Sequence, residues 1–159
     1  MMNLAHYLST RISEVFLNGK WIANTNYKEQ LESVSLEQAL KTVGQLNSIA
    51  ALTYHVNYYV SGVLNVLKGG KLEISDKFSF DMPALDSDAQ WKKLKDDFQR
   101  NAQDLALHIE QMDDTKLNEI FVDERYGTYC RNIEALIEHG YYHLGQISLI
   151  RKLIGTEKN

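Results

Sequence analysis

A single proline, Pro83, stands among 159 residues, and a chain with so few fixed φ angles has little to stop a helix once one begins. Four segments carry helical periodicity. In residues 3–18, Leu4, Leu8, Ile12, Val15 and Phe16 recur at three- and four-residue spacing before Asn18-Gly19 closes the pattern. A second segment opens at Ser35 with Gln38 at the matching capping position and runs to Lys68, where Gly69-Gly70 ends it. That makes it the longest expected element. A third starts at Ser87 with Gln90 three residues on, carries Trp91, Leu94, Phe98, Leu105 and Ile109 on one face, and stops near Asp113-Asp114. The fourth begins near Cys130 or Arg131 and repeats Ile133, Leu136, Ile137, Leu144, Ile147, Ile150 and Ile154 up to Gly155.

The connections at 19–34, 69–86 and 112–129 are too long for minimal hairpins. Tyr27, Phe78, Phe80, Phe121, Tyr126 and Tyr129 are the aromatic side chains available to anchor them over the helix ends. No internal repeat recurs, so a solenoid is not supported, and an all-α four-helix bundle is the economical architecture, filling one domain over residues 1–159.

Charge narrows the classes of partner. The net charge is −4 and no dense run of Lys or Arg occurs, so nothing points to nucleic acid. The one cysteine, Cys130, has no intramolecular partner, and residues 1–11 lack a signal-peptide pattern; the expectation is a cytoplasmic protein, with Cys130 assigned no role. Residues 42–67 contain no Asp, Glu, Lys or Arg and would be long enough to cross a bilayer. Gln45, Asn47, Ser48, Thr53, His55, Asn57, Ser61 and Asn65 interrupt that stretch, which suits a helix buried in protein and not one in a membrane.

The motif "EHGYYHLGQ", residues 138–146, carries the chemistry. Residues i and i+4 of a helix differ by about 40° in azimuth, so His139 and His143 point the same way, and Gln146 returns to that face. Two neutral imidazoles so placed can share one divalent metal, as in zinc proteases. The protease's general-base glutamate is absent, because Gly140 holds its place. Taken alone, the pair fits a semi-buried helix face as well as it fits a ligand set. His55, midway along the charge-free helix on a face of small residues, would supply a third nitrogen if that face met the first two. A lone buried histidine is otherwise usually a satisfied core residue.

"NSIAALTYHVNYYVSGVL" and "IEHGYYHLGQISLIRKL" resemble the DinB/YfiT-like superfamily of metalloenzymes, and most closely its DUF1572-type branch. The "DKFSFDMPALDSDAQW" crossover and the "ERYGTYCRNIEALIEH" approach to the last helix fit as well. The resemblance implies an up-down-down-up bundle with long crossovers and carries the family's three metal ligands to His55, His139 and His143. It implies zinc or nickel as the metal, and a low-molecular-weight thiol (bacillithiol, mycothiol or glutathione) as cosubstrate of an S-transferase. It also implies that the bundle pairs as a homodimer.

Three neutral nitrogens leave an ion's charge uncompensated and a position open, the arrangement of catalytic and not structural zinc. The expected activity is a divalent-metal-dependent transfer or hydrolysis. Each ligating ring needs an acceptor for its other N–H, and Gln146, Asn57, Ser48 and Glu138 are candidates by proximity. Tyr59, one turn from His55 on its face, is the candidate catalytic side chain, although aromatic residues at helical spacing are more often core. His6 and His108 have no partner at ligand spacing. The competing reading is a non-enzymatic bundle that keeps a metal or ligand for stability and works through dimer or partner contacts.

Overall fold

The computed structural model describes residues 3–155. Met1, Met2 and residues 156–159, which fall within the expected domain and N-terminal segment, lie outside the described residues. Among the described residues the chain forms seven α-helices and no strand, apart from an isolated antiparallel bridge between Ile120 and Thr128. They are α1 (Leu4–Ser13), α2 (Tyr27–Glu32), α3 (Leu36–Leu40), α4 (Ile49–Leu67), α5 (Asp88–Glu110), α6 (Asp114–Leu117) and α7 (Tyr129–Ile154). Among the described residues no helix is long and apolar enough to cross a membrane.

The expected helix starts and stops recur where their chemistry is local. Asn3 caps α1 by accepting from His6 N, and α1 widens into a π-helical turn at Glu14–Asn18, closed by a bond from Gly19 N to Glu14 O. Gly19 is required there, since a Cβ would stand 2.4 Å from Glu14 Cα. Ser87 and Gln90 form a reciprocal capping box on α5. Gly155 ends α7 in the left-handed conformation, at φ 77°.

The long second helix is the correction. Ser35 and Gln38 do form a capping box, but the helix they start stops at Leu40. The backbone turns through Gly44 at φ 56° and restarts at α4, where the Ser48 side chain accepts from Ala51 N. Gly44 provides the left-handed residue and Ser48 a second cap, so the charge-free stretch contains its own stop and start signals. The absence of charge reflects burial within α4 alone, since Gln45, Leu46 and Asn47 before it are exposed.

The long helices pack as a ring: α1 against α5, α5 against α4, α4 against α7, and α7 back against α1. Leu8, Ile12, Val15 and Phe16 meet Trp91, Phe98, Leu105 and Ile109 and the isoleucine stripe of α7 in one continuous apolar core. Phe16, Tyr27 and Phe98 form its aromatic centre, with ring centroids 5.2–5.5 Å apart. Trp91 is 2% exposed and donates its indole N–H to the Val34 carbonyl at 2.8 Å. Trp21, in the loop after the π-helical turn, is 86% exposed. The outer face of α5 is charged, with Lys92–Asp96 and Lys93–Asp97 at i,i+4.

Of the aromatic side chains expected to anchor the connections, Tyr27 and Phe121 are buried and Tyr129 is half-buried. Phe78, Phe80 and Tyr126 keep large exposed surfaces. The crossover between α4 and α5 is held by Phe80, stacked on His55 despite its exposed outer face, and by polar bonds to α4. Tyr58 Oη accepts from Ser75 N at 2.8 Å and donates to Ser75 O at 3.1 Å, and Asn65 Nδ2 donates to Lys71 O at 2.8 Å. Gly62 lets this segment lie close, because a Cβ there would be 2.5 Å from Ile74 Cγ2.

Candidate metal centre

His55 on α4 and His139 and His143 on α7 meet where these two helices pack, with ring centroids 4.5–5.0 Å apart. One nitrogen from each lies within 4.8 Å of the others, and no carboxylate or thiol among the described residues joins the group. His55 and His143 are buried and His139 is half-buried. The α7 register follows from its core stripe: with Leu136, Leu144 and Ile147 buried, residues 139 and 143 are turned toward α4. Gly140 between them has a packing reason. A Cβ there would stand 2.9 Å from Phe16 Cζ and 3.0 Å from Val15 Cγ2, and its carbonyl accepts from Tyr27 Oη at 2.8 Å. The residue that is a glutamate in the protease motif is thus pressed against the core, away from the cluster.

The electrostatics keep all three rings neutral. Burial pushes the pKa of His139 down to about 4, with the neighbouring His143 and His55 adding to the shift. Burial lowers His55 as well, followed by His143, while the Ser79 carbonyl and the Asp76 carboxylate oppose it. His143 is lowered by burial and partly restored by its bond to Gln146. Neutral imidazole is the form that binds metal.

The residues fit a divalent ion on geometric grounds. His55 Nε2 and His139 Nε2 are 3.1 Å apart. Nitrogens bound to one ion at about 2.0–2.1 Å, at angles between about 90° and 110°, are separated by about 2.9–3.4 Å. His143 Nδ1–H donates to Gln146 Oε1 at 2.6 Å, which leaves Nε2 with a free lone pair. His55 Nδ1 is buried without a hydrogen bond, the one such side-chain atom among the described residues. The Ser79 carbonyl lies close enough to favour the protonated ring without meeting hydrogen-bond geometry. A buried nitrogen left without a partner is an unusual cost in a purely structural core.

The remaining expected site residues divide clearly. Gln146 is in place beside His143. Tyr59 is adjacent, its ring 5.1 Å from His55 and 5.0 Å from His139, and its hydroxyl donates to Asp76 Oδ1 at 2.9 Å. Burial raises its pKa, so the phenol is a proton donor at neutral pH. Ser48 is occupied as the cap of α4, and Asn57 accepts from Asn101 on α5, so neither touches the histidines. Glu138 faces solvent and pairs with Arg131. His6 pairs with Glu110, His108 bonds the Asp104 carbonyl, and Cys130 is a half-buried thiol whose pKa burial raises.

Two residues of the crossover complete the surroundings without a sequence signal. Phe80 stacks on His55 with centroids 4.0 Å apart and planes 12° from parallel, and Asp76 sits beyond Tyr59. Helical spacing does not reach them, because they arrive on irregular backbone and a 3₁₀ turn (Asp76–Phe78). A cavity of about 520 Å³ opens from the cluster, with His139 and Tyr59 in one wall.

Against known proteins, the model of the DinB superfamily matches residues 23–147, most of the chain and all three histidines. No curated protein and no solved structure gives a significant match.

Proposed function

The chain belongs to the DinB superfamily, and from that premise we propose that it is a divalent-metal-dependent enzyme in which His55, His139 and His143 hold the ion and leave one position open. The convergence of three neutral ring nitrogens, with no fourth side-chain ligand beside them among the described residues, carries this reading. The ring of contacts among α1, α5, α4 and α7 supports the up-down-down-up four-helix bundle as its scaffold. Zinc or nickel suits an all-imidazole donor set. When bound, such an ion lowers the pKa of water or holds a thiol as its nucleophilic thiolate.

The chain's own residues do the rest. Gln146 fixes the tautomer of His143, and Phe80 covers one face of His55 and keeps water from it. Tyr59, its one hydroxyl proton given to Asp76, is held with its ring beside His55 and His139, where the hydroxyl oxygen is the candidate group to act on a bound substrate. The reaction we assign is transfer of a low-molecular-weight thiol to an electrophile, whose leaving group departs as the C–S bond forms, or hydrolysis with water as the nucleophile.

Elemental analysis of protein purified without a histidine tag tests the ligand set. Near-stoichiometric divalent metal is expected in the native chain and its loss in His55→Ala and His143→Ala; retention in both variants would overturn the assignment. Turnover of electrophiles with a panel of cellular thiols then separates an enzyme from a binding bundle, and absence of turnover with all of them favours the bundle.

A further inference from the structure

The cavity beside the histidines has a chemical character of its own. Its volume of about 520 Å³ is that of a small-molecule pocket, and Val63, Leu72, Ile74, Phe121 and Leu136 give it an apolar wall. No lysine or arginine lines it, and its one carboxylate is Asp76. Lys71 and Arg125 line an adjoining surface depression that shares Leu72 and Tyr126 with the cavity, and Arg125 is paired there with Asp123.

Several donors that face the cavity are already committed, while the hydroxyls of Ser75 and Tyr126 have no hydrogen-bond partner among the described residues. Tyr59 gives its hydroxyl proton to Asp76, Ser75 N–H bonds Tyr58, and Asn132 Nδ2 donates to the carbonyls of Tyr126 and Thr128. Asp76 Oδ1 accepts from Tyr59, which leaves Oδ2 as an acceptor without a hydrogen bond among the described residues. With the histidines empty of metal, an anionic group entering this space would meet the Asp76 carboxylate and no lysine or arginine in the wall. An apolar body with one hydrogen-bond donor meets complementary groups throughout.

We infer that the cavity holds the second substrate of the reaction, and that this molecule is uncharged and largely apolar, with a hydroxyl or N–H group donating to Asp76. The inference rests on the triad being an open catalytic site, and it assigns the substrate class to that site.

Binding of three matched probes tests it: 1-naphthylmethanol, its methyl ether and 1-naphthoate, titrated calorimetrically into the full chain, both zinc-loaded and chelator-treated. In the chelator-treated protein the alcohol is expected to bind at least about tenfold more tightly than the carboxylate, with the ether between them. Asp76→Asn should shrink that gap while leaving metal content unchanged, because Asp76 is not among the converging ligands. Ala135→Trp, which fills the cavity, should abolish binding of the alcohol. Equal or tighter binding of naphthoate in the chelator-treated protein, a gap unaltered by Asp76→Asn, or no binding of the alcohol would overturn the inference. Zinc uptake measured on the same samples keeps the two readings apart: failure to bind zinc with probe selectivity intact sinks the metal assignment alone.

Discussion

Three imidazoles crowded together and largely buried cannot all carry protons, and that single constraint governs how the centre responds to acid. The folded-state pKa of His139 lies near 4 against an ordinary 6.5, and His55 and His143 are displaced in the same direction. The folded chain therefore binds fewer protons than the unfolded chain between about pH 4 and 6.5. Stability from this source is complete above the unfolded value, falls as pH drops through that window, and levels off below it. Chelator-treated protein followed by urea unfolding should lose midpoint concentration steadily from pH 6.5 to 4, and His139→Gln should flatten the slope; an unchanged slope would show that the rings do not govern it. Much of this centre was legible in the sequence. Helical azimuth alone aligned His139, His143 and Gln146, and the charge-free stretch marked His55 as buried. Azimuth could not foresee that Ser48 would be used as a cap or Asn57 by Asn101, since each depends on a competing partner nearer at hand.

At the scale of elements, helices with strong local signals formed where their caps and periodicity placed them, and the one misjudged helix failed for a local reason as well. Gly44 and Ser48 end one helix and begin another within a run whose lack of charge disguised the junction. The crossover from α4 to α5 was not legible, because its position depends on side-chain bonds between residues far apart in sequence. Tyr58 is the key tie, bonding both the N–H and the carbonyl of Ser75. Tyr58→Phe removes both bonds at almost constant volume and should cost about 1 kcal/mol. Amide hydrogen exchange should show Ser75 N–H losing protection while the amides of α4 keep theirs. Equal protection at Ser75 in both proteins would mean that the segment is held by Ile74 against Gly62 and not by the phenol.

Taken whole, the molecule is a ring of long helices around one apolar core, with the histidine cluster set between α4 and α7 and the crossover laid across it. The all-helical class followed from the scarcity of helix breakers and the 3.6-residue spacing of apolar positions, two signals that do not depend on tertiary detail. The ring order of the helices depends on crossover paths, which no local pattern encodes. The two tryptophans sit at opposite extremes of this architecture, one buried at the start of α5 with its N–H bonded to Val34, the other in water on a loop. In optical terms the chain therefore carries two fluorophores with separable emission. Iodide should quench the red-shifted component from Trp21 and spare the blue one from Trp91, and denaturant should merge the two. In Trp91→Phe the spectrum should stay red throughout the unfolding transition; a blue component surviving there would place Trp21 in an apolar setting. One intrinsic signal thus reports collapse of the core against an internal reference that never leaves solvent.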